Sequence, residues 1–126
     1  MFFVERSLGA ITIPDALRQA HLRVEIHDDH FAQDAEDELW LTQVGQRGWV
    51  VLTKDERIRY RPNELRALIE AEVRTFIVIA RNRPMTEVAT IVVQALPAIA
   101  AFLAQHSPPF VAKITADSKV SMVVSR

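Results

Sequence analysis

Short apolar, β-rich runs recur along this chain with helix-like stretches between them, and that alternation constrains the fold more than any other feature. Met1 to Val4 reads as a buried strand. Pro14 suits the first turn of a helix running to about Ala20, where its missing N–H costs nothing. Leu22, Val24 and Ile26 alternate with Arg23, Glu25 and His27, the period-2 pattern of a strand with one polar face. Asp34 is placed to cap a helix carrying Trp40, Leu41 and Val44, which stops near Gly45 to Gly48. Trp49 to Leu52 is a continuous apolar run, as in a strand covered on both faces.

The second half repeats the logic. Pro62 opens a helix with Leu65, Leu68 and Ile69, and Thr75 to Ala80 forms another apolar strand. Thr86 can cap a long helix through about Gln105, with Pro97 inside it as a kink. Phe110 to Thr115 and Val120 to Val124 flank Ala116-Asp117-Ser118-Lys119 and read as a C-terminal β-hairpin. Strand–helix alternation of this kind predicts an α/β fold: a mostly parallel central sheet with helices on both faces, in one domain spanning residues 1–126. Ligands of such folds bind at the carboxyl ends of the strands.

Composition narrows the function. Fifteen Lys and Arg against sixteen Asp and Glu leave a net charge of -1, so any nucleic-acid contact must be a local patch rather than a bulk effect. Zero cysteines remove disulfides, thiolate nucleophiles and Cys-ligated zinc, and fit a reducing, cytoplasmic setting. Three glycines are too few for a P-loop or a dinucleotide fingerprint. The start, Met1-Phe2-Phe3-Val4-Glu5-Arg6, reaches a charge too early for a signal peptide or anchor. The apolar stretch from Val88 to Leu103 is interrupted by Gln94 and Pro97 and reads as too short to span a bilayer, so no membrane partner is expected.

Acidic residues gather at the predicted strand ends. Glu5 follows the first strand, Asp28 and Asp29 the second, and Thr53-Lys54-Asp55 the third. Asp37, Trp40, Leu41 and Val44 share one helical face, so Asp37 points inward at the head of a buried stripe, with Glu38 beside it. A carboxylate so placed needs a cation, a capping N–H or an arginine. Singly, each acid fits helix-start or capping chemistry. Together, Glu5, Asp37 and Asp55 come from three elements and should point into one cleft, where like charges favour a divalent cation. An all-oxygen donor set without cysteine favours Mg²⁺ or Mn²⁺ over zinc. His27 and His30 bracket the Asp pair and read as solvated or locally capping, with His21 and His106 at element ends.

Basic residues border the same region: Lys54, Arg57, Arg59 and Arg61 after the third strand with Tyr60 among them, and Arg81 and Arg83 after the fourth. Such a rim could hold a phosphate backbone, although on spacing alone a solvated charged loop fits equally well.

Phe2-Phe3-Val4-Glu5-Arg6-Ser7-Leu8-Gly9, the His27-Asp28-Asp29-His30 turn, the Asp37-Glu38-Leu39-Trp40-Leu41 helix start and Gly48-Trp49-Val50-Val51-Leu52-Thr53-Lys54-Asp55 together resemble a PIN-like domain of the small bacterial branch related to VapC-type toxins. The resemblance covers essentially the whole chain, and its most specific part is the apolar strand ending in Thr-Lys-Asp. It implies a three-layer α/β/α sandwich and a Mg²⁺- or Mn²⁺-dependent ribonuclease, often the toxin of a toxin–antitoxin pair. The metal acids then map to Glu5, Asp37 (or Glu38) and Asp55, with Thr53 supporting the site. Position 5 is Glu where the family usually has Asp, and Arg81-Asn82-Arg83 stands where many members carry a further acid, a gap that Asp28 or Asp29 could partly fill. The rival reading is a catalytically weak or inactive PIN-like interaction module held by a partner protein. An antitoxin or a second copy of the chain would then contact the 88–103 helix and the Val-rich hairpin, whose simpler explanation is core burial.

Overall fold

The structure is a computed structural model that describes residues 1–125. Its strands are β1 (Phe2–Val4), β2 (Val24–Ile26), β3 (Val50–Thr53), β4 (Arg74–Val78), β5 (Phe110–Ile114) and β6 (Val120–Ser125). Its helices are α1 (Thr12–Gln19), α2 (Asp37–Gln46), α3 (Pro62–Glu70) and α4 (Met85–Gln105). Single 3₁₀ turns at Arg6–Leu8, His27–Asp29 and Glu56–Tyr60 follow β1, β2 and β3. One six-stranded sheet runs in the order β2-β1-β3-β4-β5-β6, parallel throughout except for the antiparallel β5–β6 hairpin. The alternation read from the sequence is therefore the α/β sandwich expected.

Strand pleating divides the apolar residues between two faces. Phe2, Val4, Val50, Leu52, Phe76 and Val78 pack with α1 and α4. Phe3, Val51, Ile77 and Val111 pack with Trp40, Leu41 and Val44 of α2 and Leu68 of α3. Burial on both faces explains why these strands read as unbroken apolar runs. Two glycines have geometric work. Gly48 takes φ +70 where the chain leaves α2 for β3, a conformation that disfavours a side chain. Gly45 lies within α2 against α3: a Cβ there would stand 2.4 Å from the Ala71 carbonyl oxygen.

Several local expectations shift. Helix α2 starts at Asp37 with Glu36 at its N-cap, so Asp34 lies two residues upstream of the cap position it was expected to fill. Helix α4 is preceded by Pro84, not capped by Thr86, and it carries Pro97 within its span. At 21 residues and a mean hydropathy of 1.9 it is long and apolar enough to cross a bilayer, contrary to the shorter stretch read from sequence. Here Val88, Val92, Ala95 and Ile99 of α4 line the core instead. His27 is buried rather than solvated. Strand β2 ends at Ile26, so the alternation that placed His27 on a polar face stops one residue early. The following turn tucks its ring among Phe3, Phe31 and Trp40.

Candidate active site

Between β1 and β3 the direction of strand succession reverses: the chain goes from β1 outward to β2, then back across to β3. The carboxyl ends of the strands diverge at such a reversal and leave a crevice. Glu5 is the first residue after β1, and its N–H donates to the Leu52 carbonyl of β3. Thr53 closes β3 and Asp55 follows two residues later. Asp37 begins α2 beside them. A cleft of about 560 Å³ is lined by Glu5, Arg6, Ser7, Asp37, Lys54, Asp55, Glu56, Arg57 and Arg61. The three acids expected to converge do share one cleft.

Glu5 is 4% exposed and is held by short-range partners. The Thr53 hydroxyl donates to its Oε1 at 2.7 Å, and the Ser7 N–H donates to the same oxygen at 3.1 Å. Thr53 Oγ1 also accepts the Asp55 N–H at 3.0 Å, so one buried hydroxyl ties the ends of β1 and β3 together. Ser7 completes the link: its hydroxyl lies 3.2 Å from Thr53 Oγ1 and accepts the Lys54 N–H at 2.9 Å. Asp55 Oδ1 accepts the Arg57 N–H and caps the turn that carries the basic loop. Asp37 Oδ1 accepts the Trp40 indole N–H at 2.9 Å, a contact made by the i, i+3 spacing seen in the sequence.

Arginine supplies the counterions that this concentration of charge requires. Arg6 Nη2 donates to Asp37 Oδ1 at 3.1 Å, and Arg6 Nε lies 3.7 Å from Glu5 Oε2. Arg61 Nη1 donates to Asp55 Oδ2 at 2.9 Å and to Asp37 Oδ2 at 3.3 Å. The carboxylates thus meet around guanidinium groups. Among the described residues no three His, Cys, Asp or Glu side chains are close enough to one another to hold an ion as they stand. The donor chemistry nonetheless suits a hard divalent cation, because every donor is oxygen and the acids outnumber the two arginines.

The remaining expected residues separate into groups. Glu38 is not among the residues that line the acidic cleft; it lines a groove of about 510 Å³ between α2 and α3 and a second hollow shared with Arg6 and Asp37. Asp28 lines a hollow of about 190 Å³ with His27 and Gln33 and is hydrogen-bonded to the Gln33 amide. Asp29 sits in the same turn after β2, outside the residues that line the cleft. Neither lines the acidic cleft. Lys54 and Arg57 line the cleft. Arg59 lies over the Tyr60 ring, 4.7 Å from its centre. Arg83 pairs with Glu87 on α4 at 3.3 Å. Arg81 donates to Glu56 at 2.6 and 3.0 Å, and this bond holds the Glu56 carboxyl below its ordinary range. Sequence reasoning passed over Ser7 and gave Arg61 only a backbone-binding role. Neither has a spacing signature, because both contacts cross between elements.

Residues 1–80 match the family model described as "PIN like domain". The chain belongs to the PIN-like domain family. A Mycobacterium tuberculosis protein named "Putative ribonuclease VapC45" is 33% identical over 113 residues, covering 86% of this chain and 81% of that protein. Membership in the VapC-related branch follows from that coverage. No solved structure matches the chain.

Proposed function

We propose that this PIN-like domain is a Mg²⁺- or Mn²⁺-dependent endoribonuclease of the cytoplasm, and the toxin of a toxin–antitoxin pair. The observation that carries the reading is the convergence of Glu5, Asp37 and Asp55, from β1, α2 and β3, on one solvent-open cleft rimmed by Lys54 and Arg57. Similarity to a relative whose name states a ribonuclease supports the substrate class.

Glu5, Asp37 and Asp55 would hold the ion, with Thr53 fixing the Glu5 carboxylate through its 2.7 Å bond. A divalent cation bound there supplies positive charge and Lewis acidity to a phosphodiester and acidifies water. Lys54 and Arg57 would bind the flanking phosphates, and Arg59, Arg81 and Arg83 would extend the contact at the periphery. The antitoxin would be a second protein produced alongside the toxin, and a homodimer is an added proposal for the α4 and hairpin side. Because the core already claims the inner face of α4, such contacts must use its outer residues and the β6 edge.

The test is cleavage of single-stranded and structured RNA with Mn²⁺ or Mg²⁺. Wild type should cleave, EDTA should abolish cleavage, and Asp55→Asn should lower the rate by about 100-fold or more. A second reading, an inactive interaction module, draws support from the arginines that already pair with Asp37 and Asp55. Under that reading neither metal nor Asp55→Asn changes RNA.

A further inference from the structure

Resting on the metal-dependent reading, the two arginines that pair with the acids of the cleft differ in a way that assigns them different work. Arg6 is anchored on several sides. Its Nη1 donates to the Ala35 carbonyl at 2.8 Å and lies 3.4 Å from the buried His27 ring, while Nη2 holds Asp37. Among the described residues Arg61 is held by one nitrogen: Nη1 makes both of its bonds, to Asp37 and to Asp55. Its side chain is 34% exposed. Two of its three nitrogens, Nη2 and Nε, therefore remain to meet a phosphate at the cleft mouth.

We propose that Arg61 is an exchangeable counterion: it bridges Asp37 and Asp55 until a divalent cation takes its place and an RNA phosphate draws its guanidinium outward. Charge arithmetic supports the exchange. Three carboxylates and two guanidiniums leave the cluster one negative charge. Adding a divalent ion while Arg61 stays would set cations side by side, whereas replacing Arg61 brings the cluster to neutrality. Because the displaced guanidinium is offered to the substrate backbone, RNA and metal should each strengthen the binding of the other, by the same factor. Arg6, with its carbonyl anchor, stays in place and keeps Asp37 oriented.

The experiment measures Mn²⁺ affinity by electron paramagnetic resonance on the intact chain, with and without a phosphorothioate oligoribonucleotide that keeps the backbone charge. In wild type the oligonucleotide should tighten Mn²⁺ binding by about 10-fold, within the usual range of coupling between sites. Arg61→Gln should bind Mn²⁺ about 10-fold more tightly than wild type without oligonucleotide, and lose most of the coupling. Arg57→Gln removes a charge from the same cleft, yet among the described residues its side chain bonds none of the three acids, so without oligonucleotide it should change Mn²⁺ affinity less than about 2-fold. Equal effects of the two substitutions, or an unchanged affinity in Arg61→Gln, would overturn the exchange while leaving the metal site intact. Failure of Mn²⁺ to bind any of the proteins would overturn the metal reading and this one together. Should Arg61→Gln not fold, the Arg61 Nε–H resonance of wild type carries the same decision: Mg²⁺ must shift it, and a Mg²⁺-bound protein with that resonance unmoved refutes the exchange.

Discussion

Replacing Thr53 with Val keeps the side-chain outline and deletes one buried oxygen, which isolates what that hydroxyl does. The oxygen donates to a Glu5 carboxylate that is only 4% exposed and accepts the N–H of Asp55. A hydrogen bond to a charged, buried acceptor is worth about 1.5–3 kcal/mol, because water cannot replace the lost donor. The Asp55 N–H lies nearer solvent, so its loss adds only about 0.5–1 kcal/mol. Thr53→Val should therefore destabilise the fold by about 3 kcal/mol, which for a domain of this size lowers Tm by roughly 10 °C. Thr53→Ser keeps the hydroxyl and removes one methyl, a cost of about 1 kcal/mol. Urea denaturation of the three proteins under one condition gives the comparison, with equal m-values as the check that the transition is unchanged. If the Val variant is as stable as the Ser variant within about 0.5 kcal/mol, the hydroxyl does not hold Glu5, and the argument that β1 and β3 present a fixed carboxylate is wrong.

Two further predictions test the frame around the site. Gly45→Ala places a methyl 2.4 Å from the Ala71 carbonyl oxygen, so α2 and α3 must separate; overpacking of this kind costs about 1–3 kcal/mol, read as a lower urea midpoint. A neutral midpoint would mean the helices separate freely. The second prediction concerns pH. The Arg81 hydrogen bond lowers the Glu56 pKa, so this pair stabilises the fold above the ordinary carboxylate range, and its contribution disappears as pH falls through the depressed value. Arg81→Ala should therefore lower stability near neutral pH and match wild type in strong acid, and a gap between the two that persists or widens in acid would contradict that sign.

Much of this architecture was written in local pattern, and the reason is physical. Buried parallel strands must be apolar on both faces, so Val50-Val51-Leu52 and Phe76-Ile77-Val78 announce themselves without tertiary information. The inward aim of Asp37 was equally legible, since it shares a helical face with Trp40, Leu41 and Val44, all buried. His27 was misread because alternation extrapolated one residue beyond the true end of β2 carries a side chain to the wrong environment. The counterions were harder to see. A carboxylate at the head of a buried stripe required a cation, a capping N–H or an arginine, and sequence alone could not choose among them. The choice depends on reach across the fold: Arg6 meets Asp37 across 31 positions, and Arg61 meets it across 24. Arg61 stands next to α3, whose N-terminal turn begins at Pro62, and the docking of α3 against α2 brings its guanidinium to Asp37, while Asp55 lies within reach only six residues back. A sequence reader could count these charges but not pair them, because pairing is decided by helix packing. The same dependence bears on function: a movement of α3 alone, with α2 kept on the sheet, would withdraw Arg61 from Asp37 and leave the Arg6–Asp37 contact in place.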